Sequence, residues 1–239
     1  GMGDVLIDQG VSGTGIQRLD DITPTVWEEA DGAGLSAGIN KIAGTSAGGT
    51  IEITPSEAMP DGLTARFAWS PDADSGRTGD KTTGGATGAL GSGWDITLEA
   101  TGDLHGVDGL TIYGGMAEVE KFVNGTANNG DVEETVMGIK YASGGFTFGI
   151  QQTDEETGST AATGYENTSY SVTFSVNDDL SVGYAHTESD QQGSSNPDPE
   201  ADSLQAAYTM GGATFRIAEV NVDNQTYSTA ATADRSATI

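Results

Sequence analysis

At 239 residues the chain can form one large β domain or two ordinary domains. Nine lysines and arginines against 36 aspartates and glutamates leave a formal charge of −27, which excludes a general nucleic-acid binder because phosphate recognition needs a basic footprint. The 36 glycines and a hydrophobic share of only 35% argue against a helical protein and suit a fold whose interior faces water, while the lack of cysteine removes disulfides and thiolate zinc sites.

In chain order, Gly1-Met2-Gly3 runs directly into Asp4 with no signal-peptide leader, and Gly1-Met2 reads as a remnant ahead of a start codon. Residues Gly10 to Gly34 form an acidic segment with Asp20, Asp21, Glu28, Glu29 and Asp31. Leu35 to Ile53 breaks the rhythm of the remaining chain and receives no element. Within it, Gly44-Thr45-Ser46-Ala47-Gly48-Gly49 matches the nucleophile-elbow pattern and looks like the patatin phospholipase signature, with Asp8 to Gly13 upstream as an oxyanion stretch. An elbow serine must top a strand and open a helix. Here Thr50, Ile51, Ile53, Thr54 and Pro55 follow, which are β-branched or helix-breaking, so a serine hydrolase at Ser46 is kept only as a rival.

From Gly62 onward, alternating segments are joined by short and long connections in turn. Short turns fall at Asp61-Gly62, Asp103 to Gly109, Ser143-Gly144-Gly145, Asn177-Asp178-Asp179 and Gly211-Gly212. Long hydrophilic connections are expected at Pro71 to Gly91, Val123 to Val132, Thr153 to Gly164, Asp190 to Ala201 and Asp223 to Thr232. The two histidines, His105 and His186, have no metal-ligand spacing, and Asp72-Ala73-Asp74-Ser75-Gly76 and Asp154-Glu155-Glu156 are incomplete as calcium sites. No apolar run reaches the roughly 20 residues of a membrane-spanning helix.

Within each strand one face is greasy and the other small and polar. Phe67 and Trp69 oppose Arg66 and Ala68, Trp94 and Ile96 oppose Asp95 and Thr97, and Phe146, Phe148 and Ile150 oppose Thr147, Gly149 and Gln151. A soluble β-sandwich alternates in the same way with its apolar face inward. Long loops at one end, short turns at the other, and aromatics near strand ends favour a transmembrane β-barrel over the sandwich.

Glu134 to Tyr141, Gly145 to Ile150, Leu180 to Ala185 and Ala213 to Arg216 resemble the general porins of Gram-negative bacteria, most closely the alphaproteobacterial type, from about Gly48 to the end. The resemblance implies an all-β, antiparallel, up-and-down barrel, sixteen-stranded in the family. About twelve or thirteen strands are expected here, as one partial domain over residues 1–239 with both ends cut. It further implies a homotrimer in the outer membrane lipid bilayer, passing small hydrophilic solutes without cofactor, bound metal, nucleic acid or enzymatic step. A long inward-folded acidic loop narrows such pores, and residues 10–34 fill that role. By parity Arg66, Lys140 and Arg216 face the lumen opposite its carboxylates and would set a transverse field favouring cations. The alternatives are a solvated external loop with locally paired cations and, for the whole chain, a soluble or secreted acidic β-sandwich adhesin or surface module stabilised by calcium.

Overall fold

The computed structural model describes residues 3–9, 13–30, 37–39, 41–46, 48–73, 90–123, 127–156, 164–229 and 233–238. Twelve strands run in chain order: β1 (Asp4–Gln9), β2 (Gly49–Thr54), β3 (Leu63–Ser70), β4 (Leu90–Ala100), β5 (Leu110–Val123), β6 (Ala127–Ser143), β7 (Phe146–Glu156), β8 (Gly164–Ser175), β9 (Leu180–Gln191), β10 (Glu200–Met210), β11 (Ala213–Asp223) and β12 (Ala233–Thr238). They form one sheet in the order β1 to β12, each antiparallel to its sequence neighbours. This is the expected all-β, up-and-down arrangement. No helix among the described residues is long and apolar enough to cross a membrane.

Turn chemistry sets the register at one end. Gly211 and Gly212 both have positive φ, 60° and 86°, so the turn twists with its strands and fixes Met210 opposite Ala213. Between β8 and β9 the Asn177 side-chain oxygen accepts from the amides of Asp179 and Leu180, an Asx turn. Between β4 and β5 a single helical turn, α1 (Gly102–His105), closes on Gly106. The connections at the opposite end differ from expectation in one place. The Val123 to Val132 loop is largely strand, because the β5–β6 ladder continues to Val123 opposite Ala127, with a register shift between Glu120 and Phe122. Ladder that projects into water on both faces has no need of alternation, so its sequence reads as loop. At this end Asp198, between β9 and β10, has its carboxyl pushed above the ordinary value by desolvation and by the nearby Asp190 and Glu188 charges.

The two faces of the sheet are inverted relative to a soluble domain. The greasy face is exposed, with Ile51, Phe67, Trp69, Leu98, Met116, Met137, Ile139, Phe148 and Ile150 open to the surroundings. The polar face is covered: Thr50, Glu52, Ser70, Asp95, Thr97, Glu134, Gln151 and Ser171 are all buried. Adjacent positions make the contrast plain, since Met137 is 62% exposed while Glu134, three residues earlier on the other face, is 5% exposed. What covers the polar face is the chain between β1 and β2.

Candidate functional site: a strap across the polar face

Gln9 pairs with Gly49 at the end of the β1–β2 ladder, and the intervening residues cross the polar face and return. The outward leg begins with a 3-10 turn, Gly15–Leu19, whose Ile16 and Leu19 are buried with Ile42, Tyr113, Ala117 and Val136. Farther on, Ala30 and Ala37 are buried with Ala185, Ala201, Ala218, Val220 and Val222 of β9 to β11, with Trp27 and Ile39 packed against them. The Thr226 amide, just past β11, donates to the Ala37 carbonyl (2.9 Å), and six residues later Ala43 meets Glu134 of β6. Six extended residues reach at most ~21 Å, whereas five strand spacings in a flat sheet cover ~24 Å. The sheet therefore curls around this strap.

Side chains of the wall hold the strap by its backbone. Glu52 of β2 accepts from the Gly15 amide (2.8 Å) and is bridged by both guanidinium nitrogens of Arg18, Nη2 at 2.8 Å and Nε at 3.0 Å. Asp95 of β4 accepts from the amide of Thr45 (3.2 Å) and from its hydroxyl. Glu134 of β6 accepts from the amides of Ala43 (3.1 Å) and Gly44 (2.6 Å). These carboxylates share one row, because Glu52 lies opposite Ala68, Ala68 opposite Asp95, Asp95 opposite Ala117, and Ala117 opposite Glu134. Acid and alanine alternate, so each carboxylate has a small neighbour on either side and the strap can approach closely. Gly15 and Gly44, with φ near +56° and +54°, both press against Asp95; a Cβ would lie 1.9 Å and 2.3 Å from its carboxylate oxygens. Only glycine fits either position.

Two amides continue the attachment. Gln151 of β7 donates to the Asp20 carbonyl and accepts from the Tyr113 hydroxyl (2.8 Å). Gln205 of β10 accepts from the amides of Val26 (3.2 Å) and Trp27 (2.9 Å) and donates to the Glu28 carbonyl. Replacing Gln205 by alanine is expected to cost about 1–3 kcal/mol, the penalty for leaving buried backbone groups unsatisfied. Limited proteolysis should then cut the strap between Val26 and Ala30 faster, with Gln205→Glu intermediate because it keeps the acceptor and loses the donor.

Between strap and wall lies a cavity of about 20 Å³, lined from the strap by Asp20, Asp21, Thr23, Glu29, Ile39 and Lys41 and from β7 to β9 by Gln151, Thr153, Asn167, Ser169 and Thr187. That is room for about one water molecule. Asp20, Asp21 and Glu29 thus meet here. Glu28 contributes its carbonyl to Gln205, and Asp31 lies outside the described residues. Arg66, Lys140 and Arg216 are on the inner face by register, each three residues from a short turn, and do not line this cavity. The cation that does is Lys41, its Nζ 3.7 Å from Asp21, and the facing wall is made of neutral hydroxyls and amides.

The other sequence motifs find different places. Ser46 is buried in a turn and its hydroxyl donates to the Ala43 carbonyl (2.8 Å), while His186 contacts Asp202 on the outer face and His105 sits in α1. The elbow pattern serves instead to dock the strap on Asp95 and Glu134. Register splits Asp154-Glu155-Glu156 between the two faces, and of the Asp72 to Gly76 run only Asp72 and Ala73 are described. Among the described residues no group of three metal-ligating side chains comes together.

No family model matches the chain, and no curated protein matches its sequence. Among solved structures it is similar to OmpT, an outer membrane protein of Vibrio cholerae folded in vitro, with a TM-score of 0.51 and 11% identity over 83% of this chain and 65% of that one. It also has a looser likeness to the NanC porin, with a TM-score of 0.41 and 13% identity over 74% of this chain and 81% of that one, which adds nothing to the first. The chain spans about 65% of the OmpT structure it matches. At this level the likeness shows the fold alone: an antiparallel, up-and-down sheet of the outer-membrane β-barrel kind.

Proposed function

We propose that the chain is a porin-type channel of an outer membrane, a partial barrel domain whose strap narrows a polar lumen and favours cations. The observation that carries this reading is the inverted packing. Phe, Ile, Met and Trp side chains face outward on successive strands while Ser, Thr, Gln, Asp and Glu line the covered face, the distribution a lipid surroundings and an aqueous interior demand. The rival sandwich needs its apolar face inside, and the calcium module needs a ligand cluster that the described residues do not form. The electrostatic filter consists of Asp20, Asp21 and Glu29 with Lys41, opposed by neutral side chains rather than by Arg66, Lys140 and Arg216. The remaining parts of the reading, a homotrimer without cofactor or catalytic step, follow the porin resemblance.

The test is reconstitution. Refolded in detergent, the protein should migrate as a heat-modifiable oligomer and give stepwise, cation-selective conductance in a planar bilayer. A protein soluble without detergent and silent in the bilayer would sink the proposal. Lipid contact makes a separate prediction: Ile150→Arg on the outer face should cost about 2–4 kcal/mol of folding free energy in vesicles. The same change at inward-facing Thr173 should cost far less, both read by denaturant titration.

A further inference from the structure

The outer face carries one feature at odds with a purely apolar surface. A groove of about 410 Å³ is lined by Phe146, Val172, Phe174, Val182, Tyr184 and Leu204. It adjoins a polar cleft of about 300 Å³ that includes Tyr184, Asp202, Leu204, Glu219 and Asn221, so the two share Tyr184 and Leu204. In the cleft the Tyr184 hydroxyl donates to Asp202 Oδ1, and His186 Nδ1 lies 3.0 Å from the same oxygen. His186 in turn stacks on Tyr170 with ring centroids 4.7 Å apart. Asp202 is held in place, then, with both contacts on one of its two oxygens.

Glu219 is six residues along β11 from the Gly211-Gly212 turn. Six residues rise roughly 20 Å along a strand, and roughly 15 Å in height at a tilt near 40°, inside an apolar band about 25 Å tall. A carboxylate at that depth needs a cation. None comes from the neighbouring strands, since no lysine or arginine occurs between Lys140 and Arg216 and Arg216 faces the other side of the sheet.

We propose that groove and cleft together bind a phospholipid with an ammonium head group, its acyl chain lying along Phe146, Phe174, Val182 and Leu204 and its ammonium between Asp202 and Glu219 beside the Tyr184 ring. Carboxylates supply the charge complement and the phenol face adds cation–π attraction. An anionic head group would be repelled by the same residues. This site rests on the membrane-spanning reading above, and the experiment separates the two.

The full chain is refolded with equimolar dioleoyl phosphatidylethanolamine and dioleoyl phosphatidylglycerol, which share acyl chains, and retained lipid is counted by native mass spectrometry. Insertion into vesicles is checked in parallel. Several-fold preferential retention of phosphatidylethanolamine is expected, lost in Asp202→Asn/Glu219→Gln and reduced in Glu219→Gln alone. These neutral surface changes leave the strap and its anchors intact. Equal retention of both lipids by inserted protein overturns the lipid site and leaves the channel standing, as does a preference that survives the double substitution. Failure to insert overturns both.

Discussion

Excising residues 10–48 and joining Gln9 to Gly49 through an Asn-Gly turn is expected to raise single-channel conductance several-fold. Gln9 and Gly49 already face each other at the end of the β1–β2 ladder, so a two-residue turn with positive φ at both positions closes the gap without moving either strand. The strap leaves a cavity of only about 20 Å³ against β7 to β9, and every anchor to it is a side chain of the wall. The cost falls on stability. Ile16, Leu19 and Ile42 lose their burial, each worth roughly 1.5–3 kcal/mol, and Glu52, Asp95 and Glu134 return to water. A milder variant, Glu134→Gln with Asp95→Asn, keeps the strap in the chain while weakening its return leg, and should give frequent transitions to the higher conductance level. Unaltered conductance in the excised protein, folded as judged by heat-modifiable migration, would show that the strap does not set the bottleneck.

Reversing charge at Asp20 and Asp21 should lower the potassium-to-chloride permeability ratio by tenfold or more. A unit charge ~6 Å from a passing ion contributes roughly 1 kcal/mol at an effective dielectric between 20 and 80, and two reversals exceed the 1.4 kcal/mol that makes a factor of ten. Asp20→Asn/Asp21→Asn should give about half the effect in logarithmic terms. Lys41→Met should act in the opposite direction, because it removes the cation beside Asp21. The reversal potential in a potassium chloride gradient reads all three, and an unmoved potential would dismiss the assigned filter. Neutral Ser169 and Thr187 on the facing wall are expected to matter little for this ratio.

The strands from β6 to β11 were legible because short turns with glycine, asparagine or aspartate separate segments of strict alternation. Which face looks outward was not legible from alternation alone, since Phe148 beside Gly149 reads the same in a sandwich. Asp20, Asp21 and Glu29 could be named from their run of charge, yet the wall they meet could not. Gln151, Ser169 and Thr187 are ordinary polar residues until the register places them in one row. The anchors were harder still. Glu52 between Ile51 and Ile53, and Asp95 between Trp94 and Ile96, are carboxylates inside apolar strand segments, a signal that something must satisfy them. That their partners are backbone amides of Gly15 and Thr45 depends on contacts far apart in sequence. β2 went unassigned because the elbow-like Gly44 to Gly49 obscured the alternation that follows it.

The attachment of Val26 to Gln205 joins residues 179 positions apart, and this reaches beyond the resting architecture to the order of assembly. A segment near the start of the chain cannot dock until β10 exists and lies beside β9, because its last anchors belong to those strands. Sheet formation by neighbour pairing needs only hairpin-length searches, whereas closing a loop of that size waits on all of them. The strap is therefore the final piece to settle, and during the interval before it does, the nascent barrel is at its widest.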